Sequence, residues 1–290
     1  MKPAPFAYHD PTSLAEVTAL LGRLEGAKLL AGGQSLMSMM NFRFVMPDHL
    51  VDLNGVADLA YIRETGGRLE IGAMTRQRAI ERSELVRRAA PVLIEALEQV
   101  GHHQTRNRGT IGGSLAHLDP AAELPGIAAL YDAELEVLGP TGSRKIAMQD
   151  WALGYMTTAL APDEVLTQIA FPIWRERHGY AFLEFARRHG DFAIVGVACL
   201  LTLDGAGKIA RASLAMIGVD VKPLRLTSVE TLLIGKAPSV ELWQAAADEA
   251  RKIEAISDAM ISSEYRKRLA GTFTARALAR AAERAVGGAR

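Results

Sequence analysis

Two glycine pairs carry the most suggestive chemistry in this sequence. Gly32-Gly33 lies in LLAGGQSLM (29–37), and Gly112-Gly113 lies in GTIGGSLAHLDPAAELP (109–125). Ser35 follows the first pair and Ser114 the second, and Thr110 precedes the second. Successive backbone N–H groups in a tight turn form an anion-binding concavity. A helix start adds free donors and partial positive charge. Glycine lets a backbone approach a phosphate with no β-carbon between them, and the three hydroxyls are further donors. Two such loops could grip the two phosphates of one pyrophosphate from opposite sides. Neither loop reads GxGxxG or GxxxxGK[ST], so neither is a standard nucleotide fingerprint. The same residues also suit two ordinary chain-reversing turns, because Gly-Gly is common punctuation.

The other candidates are weaker. Gly205-Ala206-Gly207-Lys208-Ile209-Ala210 matches GxGxxA. That fingerprint must follow a strand and open a helix. Here the residues to Ile217 continue as a β-rich run, so a hairpin turn is expected. His102 and His103 are adjacent and point apart. His117 and Asp119 are better read as loop contacts than as a ligand pair. No HExxH, CxxC or Gly-x-Ser-x-Gly occurs. No metal ligand is assigned. Cys199, the single cysteine, sits in VGVACLL and reads as a small buried hydrophobe. One thiol cannot form an internal disulfide, a structural zinc site or an iron–sulfur cluster in this chain alone.

Several elements must position these loops. Ser13 to Glu16 is a capping box that opens a helix to about Leu24. A strand over 28–31 leads into the first glycine turn, a helix over 36–42 follows, and HLVDL (49–53) reads as a strand. This is a small βαβαβ-like unit. Tyr61–Arg63 and Leu69–Ile71 bracket Gly66-Gly67 as a hairpin. Thr75 is expected to cap a short helix, and 91–100 forms another. An odd polar stretch, 102–108, leads into the second glycine turn. A second hairpin brackets Gly139 to Gly142, and 165–171 ends at Pro172. PIWRERHG (172–179) is a polar break. Beyond it come strands over 181–187, 194–203 and 209–217, then helices near 228–234, 240–255 and 263–286. The expected class is α+β, with an antiparallel sheet backed by helices in the C-terminal part.

Bulk properties fit a globular chain. At about 150 residues per domain, 290 residues suggest two domains. Lys+Arg and Asp+Glu both number 33, so the net charge is zero and duplex nucleic acid is not an expected partner. The N-terminus has no signal-peptide pattern. The longest apolar run, Val195 to Leu201, is too short to span a bilayer. Cytoplasm is the expected location.

LAGGQSL and the later QTRNRGTIGGSLAHLDPAAELP resemble the FAD-binding medium subunits of the molybdenum hydroxylases. This is the family of xanthine dehydrogenase and aerobic carbon monoxide dehydrogenase. The similarity runs nearly end to end. It takes in FAYHDPTSLAEVTALL, IGAMTR, PDEVLTQIAFP and RRHGDFAIVGVA. It implies a two-part, PCMH-type, non-Rossmann FAD-binding domain over 1–175, with subdomains of about 1–57 and 58–175. A C-terminal domain over 176–290 follows, built on a three-stranded antiparallel sheet with helices.

The resemblance also implies site residues. Ala31, Gly32, Gly33, Gln34 and Ser35, with Leu36 beside them, and Thr110, Ile111, Gly112, Gly113 and Ser114 would embrace the FAD pyrophosphate. Glu123 falls where relatives place a carboxylate near the ribose or phosphates, and Leu166 where an apolar side chain supports the flavin. Phe192 stands where some relatives carry a tyrosine, and Gln34 where some carry a histidine.

The family's three-subunit enzymes place the molybdenum cofactor on a large subunit and two [2Fe–2S] clusters on a small one, so a dimer of heterotrimers is implied. This chain would then carry electrons from the clusters through FAD to an external acceptor, with no catalytic acid, base or nucleophile of its own. Ser114 replaces the asparagine more frequent in carbon monoxide dehydrogenases. This leans toward a holoenzyme that hydroxylates an N-heterocyclic or aromatic substrate. The alternatives are a carbon monoxide dehydrogenase medium subunit, a stand-alone FAD oxidase, and a scaffold that has lost FAD.

Overall fold

The computed structural model describes residues 1–174 and 177–287. Arg175 and Glu176, within the polar break, lie outside the described residues, as do residues 288–290. The chain opens with β1 (Ala7–His9), α1 (Leu14–Arg23), β2 (Ala27–Leu30), α2 (Leu36–Asn41) and β3 (His49–Asp52). The strands form a parallel sheet in the order β1-β3-β2. Parallel neighbours require crossovers, which α1 and α2 provide. Ser13 caps α1 by accepting from the Glu16 amide. The Glu16 carboxylate returns to the Thr12 amide at 2.7 Å, so the reciprocal half of the box lies one residue upstream. Val17, Leu20 and Leu21 are buried against Val51 and Leu53.

A second sheet begins with the hairpin β4 (Ile62–Thr65) and β5 (Arg68–Gly72). Gly66 and Gly67 make its turn, both at positive φ. Six helices follow: α3 (Gln77–Glu81), α4 (Glu84–Ala89), α5 (Pro91–Gln99), α6 (His103–Arg108), α7 (Ile111–His117) and α8 (Glu123–Leu130). Then come β6 (Glu134–Gly139), β7 (Gly142–Ala147), α9 (Met148–Trp151), the short pair β8 (Ala152–Gly154) and β9 (Thr157–Thr158), and β10 (Val165–Pro172). The sheet order is β4-β5-β10-β6-β7. Its central strand β10 is antiparallel to both neighbours.

Two expectations need correction here. Thr75 caps no helix: its hydroxyl bridges the backbone of Tyr61, accepting from N–H at 3.1 Å and donating to C=O at 2.9 Å. The second glycine pair is not a turn but the first turn of α7, and the polar stretch before it is the helix α6.

The remaining strands are β11 (Gly179–Phe185), β12 (Val195–Leu203), β13 (Ile209–Ile217) and β14 (Leu224–Arg225), antiparallel in that order. The sheet therefore has four strands rather than the expected three. The fourth is two residues long, too short to show a period. Helices α10 (Thr227–Leu233), α11 (Val240–Ala250) and α12 (Ser263–Gly287) complete the chain. The GAGKIA motif is the β12–β13 hairpin: Asp204 N–H donates to Lys208 O at 2.8 Å and Gly207 takes φ 75°.

Side chains alternate between the two faces of a strand. Val195, Val197, Cys199 and Leu201 of β12 join the core beneath the C-terminal helices. Ala198 and Leu200 join the core that contains α8 and the second sheet. All eight residues of α8 are buried, as expected for a helix apolar on nearly every side. No described helix is long and apolar enough to cross a membrane.

Candidate functional site

The two glycine segments meet. A β-carbon on Gly32 would stand 2.3 Å from the Arg108 carbonyl oxygen and 2.8 Å from Gly109 Cα. A β-carbon on Gly113 would lie 3.3 Å from Ala31 Cβ. Glycine is required here first by the packing of chain on chain. Gly33 adds a different demand, a φ of 71° that side-chain-bearing residues rarely adopt.

Their amides are used differently. In the first segment, the N–H groups of Gly32, Gly33, Gln34 and Ser35 donate to no protein acceptor among the described residues. Ser35 stands at the N-cap of α2 but makes no capping bond. Gln34 turns back, its Nε2 donating to Gly32 O at 3.1 Å. In the second segment the amides are already spent. Ile111 donates to Thr75 O at 3.2 Å, Gly112 to Ala73 O at 2.9 Å and Ser114 to Thr110 O at 3.2 Å. Gly113 donates to Thr110 Oγ1 at 3.0 Å. The start of α7 thus offers no free donor at 111–114, contrary to the expectation for a helix start. It offers the Ser114 hydroxyl, which makes no bond to protein among the described residues, while Gly112 is packed against Ala73 and Gly113 against Thr110 and Ala31. Thr110 is turned inward, 2% exposed.

A clamp that sequence reasoning missed joins the segments. Asn54 Nδ2 donates to Ala31 O at 3.1 Å. Its Oδ1 accepts from Arg76, whose guanidinium also donates to Arg108 O. Arg76 forms an isolated antiparallel bridge with Thr110. Burial and the nearby Arg108 lower the Arg76 pKa. Arg76 lies in the IGAMTR run and Asn54 follows HLVDL, yet nothing local in either run shows that they converge. Within α6, Arg106 is 4% exposed. It donates to Glu81 at 2.9 Å, to Val100 O at 2.9 Å, and contacts His103 Nδ1 at 3.0 Å.

The remaining expected residues lie around this centre. Leu166 is 4% exposed, within the main core. Its neighbour Thr167 accepts from the Ala73 amide, and Ala73 O accepts from Gly112, so β10 is tied to α7 through one residue. Glu123 opens α8 with its carboxyl buried, which raises its pKa to about 7. Phe192 is 70% exposed, in the β11–β12 connection. That connection rests on the approach to α6: a β-carbon on Gly190 would stand 2.7 Å from His102 Cε1. Ala31 and Gly113 are thus in direct contact, as are Gly32 and the chain before Thr110. Among the described residues, no bond or ring contact joins Phe192 to the glycine segments.

Residues 4–174 match the model described as the FAD-binding domain in molybdopterin dehydrogenase, and 180–281 match the carbon monoxide dehydrogenase flavoprotein C-terminal domain. The chain belongs to the FAD-binding medium subunits of the molybdenum hydroxylases. This medium subunit is 38% identical to the 6-hydroxypseudooxynicotine dehydrogenase complex subunit alpha of Paenarthrobacter nicotinovorans, over 98% of this chain and 97% of that protein. It is 39% identical to the carbon monoxide dehydrogenase medium chain of Afipia carboxidovorans, over 98% and 99%. Reconstituted CO dehydrogenase from Oligotropha carboxidovorans contains a similar fold, with TM-score 0.95 and 38% identity over 98% of this chain and 100% of that one. The medium subunit is therefore an oxidoreductase component whose cofactor is FAD.

Proposed function

We propose that this medium subunit holds FAD on the two glycine segments and relays electrons from a partner's [2Fe–2S] clusters to an external acceptor. The observation that carries this reading is that the four amides of Gly32 to Ser35 are unspent, in a segment packed against Arg108 and Gly109. An anion is the natural partner for successive free N–H groups in a tight turn. The residues fit the pyrophosphate: four N–H donors and the Ser35 and Ser114 hydroxyls, with Gly112 and Gly113 letting the second segment pack closely on Ala73 and Ala31. Ala31 and Leu36 flank the cradle, and the buried Thr110 and Ile111 support the second segment from behind. Glu123, Leu166 and Phe192 are assigned to the rest of the cofactor, Phe192 through its exposed ring. Bound FAD supplies the redox centre. The chain's own contribution is binding, orientation and electrostatics.

In this reading residues 1–175 form the FAD-binding domain and 176–290 the C-terminal domain. The division is supported by the family matches at 4–174 and 180–281. The partners are an iron–sulfur small subunit and a molybdenum large subunit, assembled in the cytoplasm as a dimer of heterotrimers. Ser114 supports an N-heterocyclic or aromatic substrate for the holoenzyme. A carbon monoxide dehydrogenase remains the second reading, because identity to that medium chain is 39%.

The test is anaerobic. The FAD-loaded subunit alone is expected to bleach with dithionite and to pass electrons to a dye. It should not bleach with N-heterocycles, aldehydes or carbon monoxide until both partner subunits are added. Bleaching by substrate without partners would overturn the relay and leave a stand-alone oxidase.

A further inference from the structure

Among the described residues, no hydrogen bond runs directly from residues 29–37 to residues 105–117. The first glycine segment leaves the parallel sheet, where Leu29 and Ala31 pack on that sheet's core. The second opens α7, whose Ile111 and Leu115 belong to the main core. Two cores therefore carry the two halves of one cradle. Packing limits how closely the halves approach; something else must limit how far they part.

The bonded route between them runs through two side chains. Asn54 Nδ2 donates to Ala31 O at 3.1 Å, and Asn54 Oδ1 accepts from Arg76. Arg76 also donates to Arg108 O. Both ends of this route meet the chain where the segments touch. Ala31 carries the methyl that lies beside Gly113, and Arg108 O is the oxygen against which Gly32 packs.

The donor pattern suits an amide at position 54. Asp52 Oδ1 accepts from the Asn54 backbone N–H at 2.9 Å and also from Nδ2. Asp52 Oδ2 accepts from the Tyr8 hydroxyl at 2.6 Å. One end of the Asn54 side chain thus faces two acceptors, Asp52 and Ala31 O. Its other end faces a guanidinium, which only donates. A carboxylate of the same shape would set a third acceptor beside those two. At position 76 a rigid fork of donors reaches two separate oxygens, which a lysine's single ammonium does not reproduce.

We propose that Asn54 and Arg76 are positioning residues that hold the glycine segments at cofactor-binding spacing in the FAD-free chain, so that FAD meets a site already formed. Neither is assigned a contact with FAD. The role in FAD binding rests on the function proposed above; the holding of the segments does not. When only a fraction of the chains is competent, the apparent dissociation constant is the intrinsic one divided by that fraction. The loss falls on association, because the bound arrangement is the same.

The holding is read without FAD, by nuclear magnetic resonance. A nuclear Overhauser contact is expected between the Ala31 methyl and the Gly113 α-protons, which their packing brings together. It is expected to be lost in Asn54→Asp and in Arg76→Gln, with native circular dichroism. Should Arg76→Gln fail to fold, Asn54→Asp, at an exposed position, decides alone. Absence of the contact from the wild-type chain, or its full retention in the folded variants, would overturn the proposal.

The role in binding is read by FAD fluorescence on rapid mixing. If the competent fraction falls to about a tenth, association slows about tenfold and dissociation does not change. Arg76→Lys is expected to behave as Arg76→Gln, since charge without the fork does not bridge. Faster dissociation at an unchanged association rate would overturn positioning and make Arg76 a direct ligand of FAD. Unchanged rates in variants that have lost the Ala31–Gly113 contact would overturn the tie to FAD. A wild-type chain that shows the contact, loses it in the variants and binds no FAD would uphold the holding of the segments and overturn the function proposed above.

Discussion

Gly32 and Arg108 are pressed together: a β-carbon at Gly32 would sit 2.3 Å from the Arg108 carbonyl oxygen. The contact sets the spacing of the two glycine segments. Gly32→Ala must push them apart or strain the backbone, at a cost of about 1–3 kcal/mol typical of overpacking. Purified Gly32→Ala is expected to carry little FAD while keeping native circular dichroism. Full FAD content in that variant would show that segment spacing does not govern binding.

The two serines separate ligand binding from folding. Ser35 makes no capping bond, and Ser114 none to protein. Ser35→Ala and Ser114→Ala are each expected to weaken FAD binding by about 1–2 kcal/mol, the scale of a hydrogen bond to a charged group. The melting temperature of the FAD-free chain should not move. Titration of FAD into the two variants, beside a thermal melt, checks both halves.

Stability should fall as pH rises from the ordinary carboxylate range to about 8. Burial raises Glu123 and Glu184 above the ordinary 4.5, to about 7 and about 8. The folded chain therefore holds more protons than the unfolded one between those limits, and stability declines as pH rises through that window. The decline is about 1.4 kcal/mol per pH unit for each linked proton. Glu81 has the opposite sign. Burial pushes its carboxyl up, but hydrogen bonds from Arg78 and Arg106 outweigh burial and hold it below the usual range. Its contribution is lost as pH falls through the carboxylate range. Denaturant midpoints are expected to fall from mildly acidic pH to about pH 8 and to level off above it, with a shallower fall in Glu184→Gln.

The GAGKIA turn should be inert. Gly205 has open space around its α-carbon and no left-handed backbone. Gly205→Ala is expected to change neither FAD content nor stability beyond about 0.5 kcal/mol. Loss of flavin from a folded Gly205→Ala protein would reopen a dinucleotide role for that turn.

Most of the fold was legible because its signals are local. Ser13 marked α1, Gly66-Gly67 marked a hairpin, and 209–217 was read to its ends. Thr75 misled because a threonine before a helical run looks like a cap, while its hydroxyl is taken by Tyr61 across the chain. The second glycine pair misled because glycine favours turns, whereas Gly112 and Gly113 enter a helix that only tertiary contact with Ala73 and Ala31 requires. The Arg76–Asn54 clamp was invisible for a simpler reason. Arg76 stands 22 residues from Asn54 and 32 from Arg108, and no periodicity links them.

The burial of α8 bears on how the molecule comes apart. Its eight residues are enclosed, and its cluster takes in Phe182, Ala198, Leu200 and Ile217 from the C-terminal sheet as well as Leu93 and Ile169. Melting either half would strip one side of this helix and expose apolar surface at about 25 cal/mol per Å². The halves are therefore coupled in unfolding, and calorimetry of the lone chain is expected to show one cooperative transition rather than two. Swinging one half against the other would break the same cluster, so the Phe192-bearing connection can adjust only locally, over His102, rather than by a hinge between the halves.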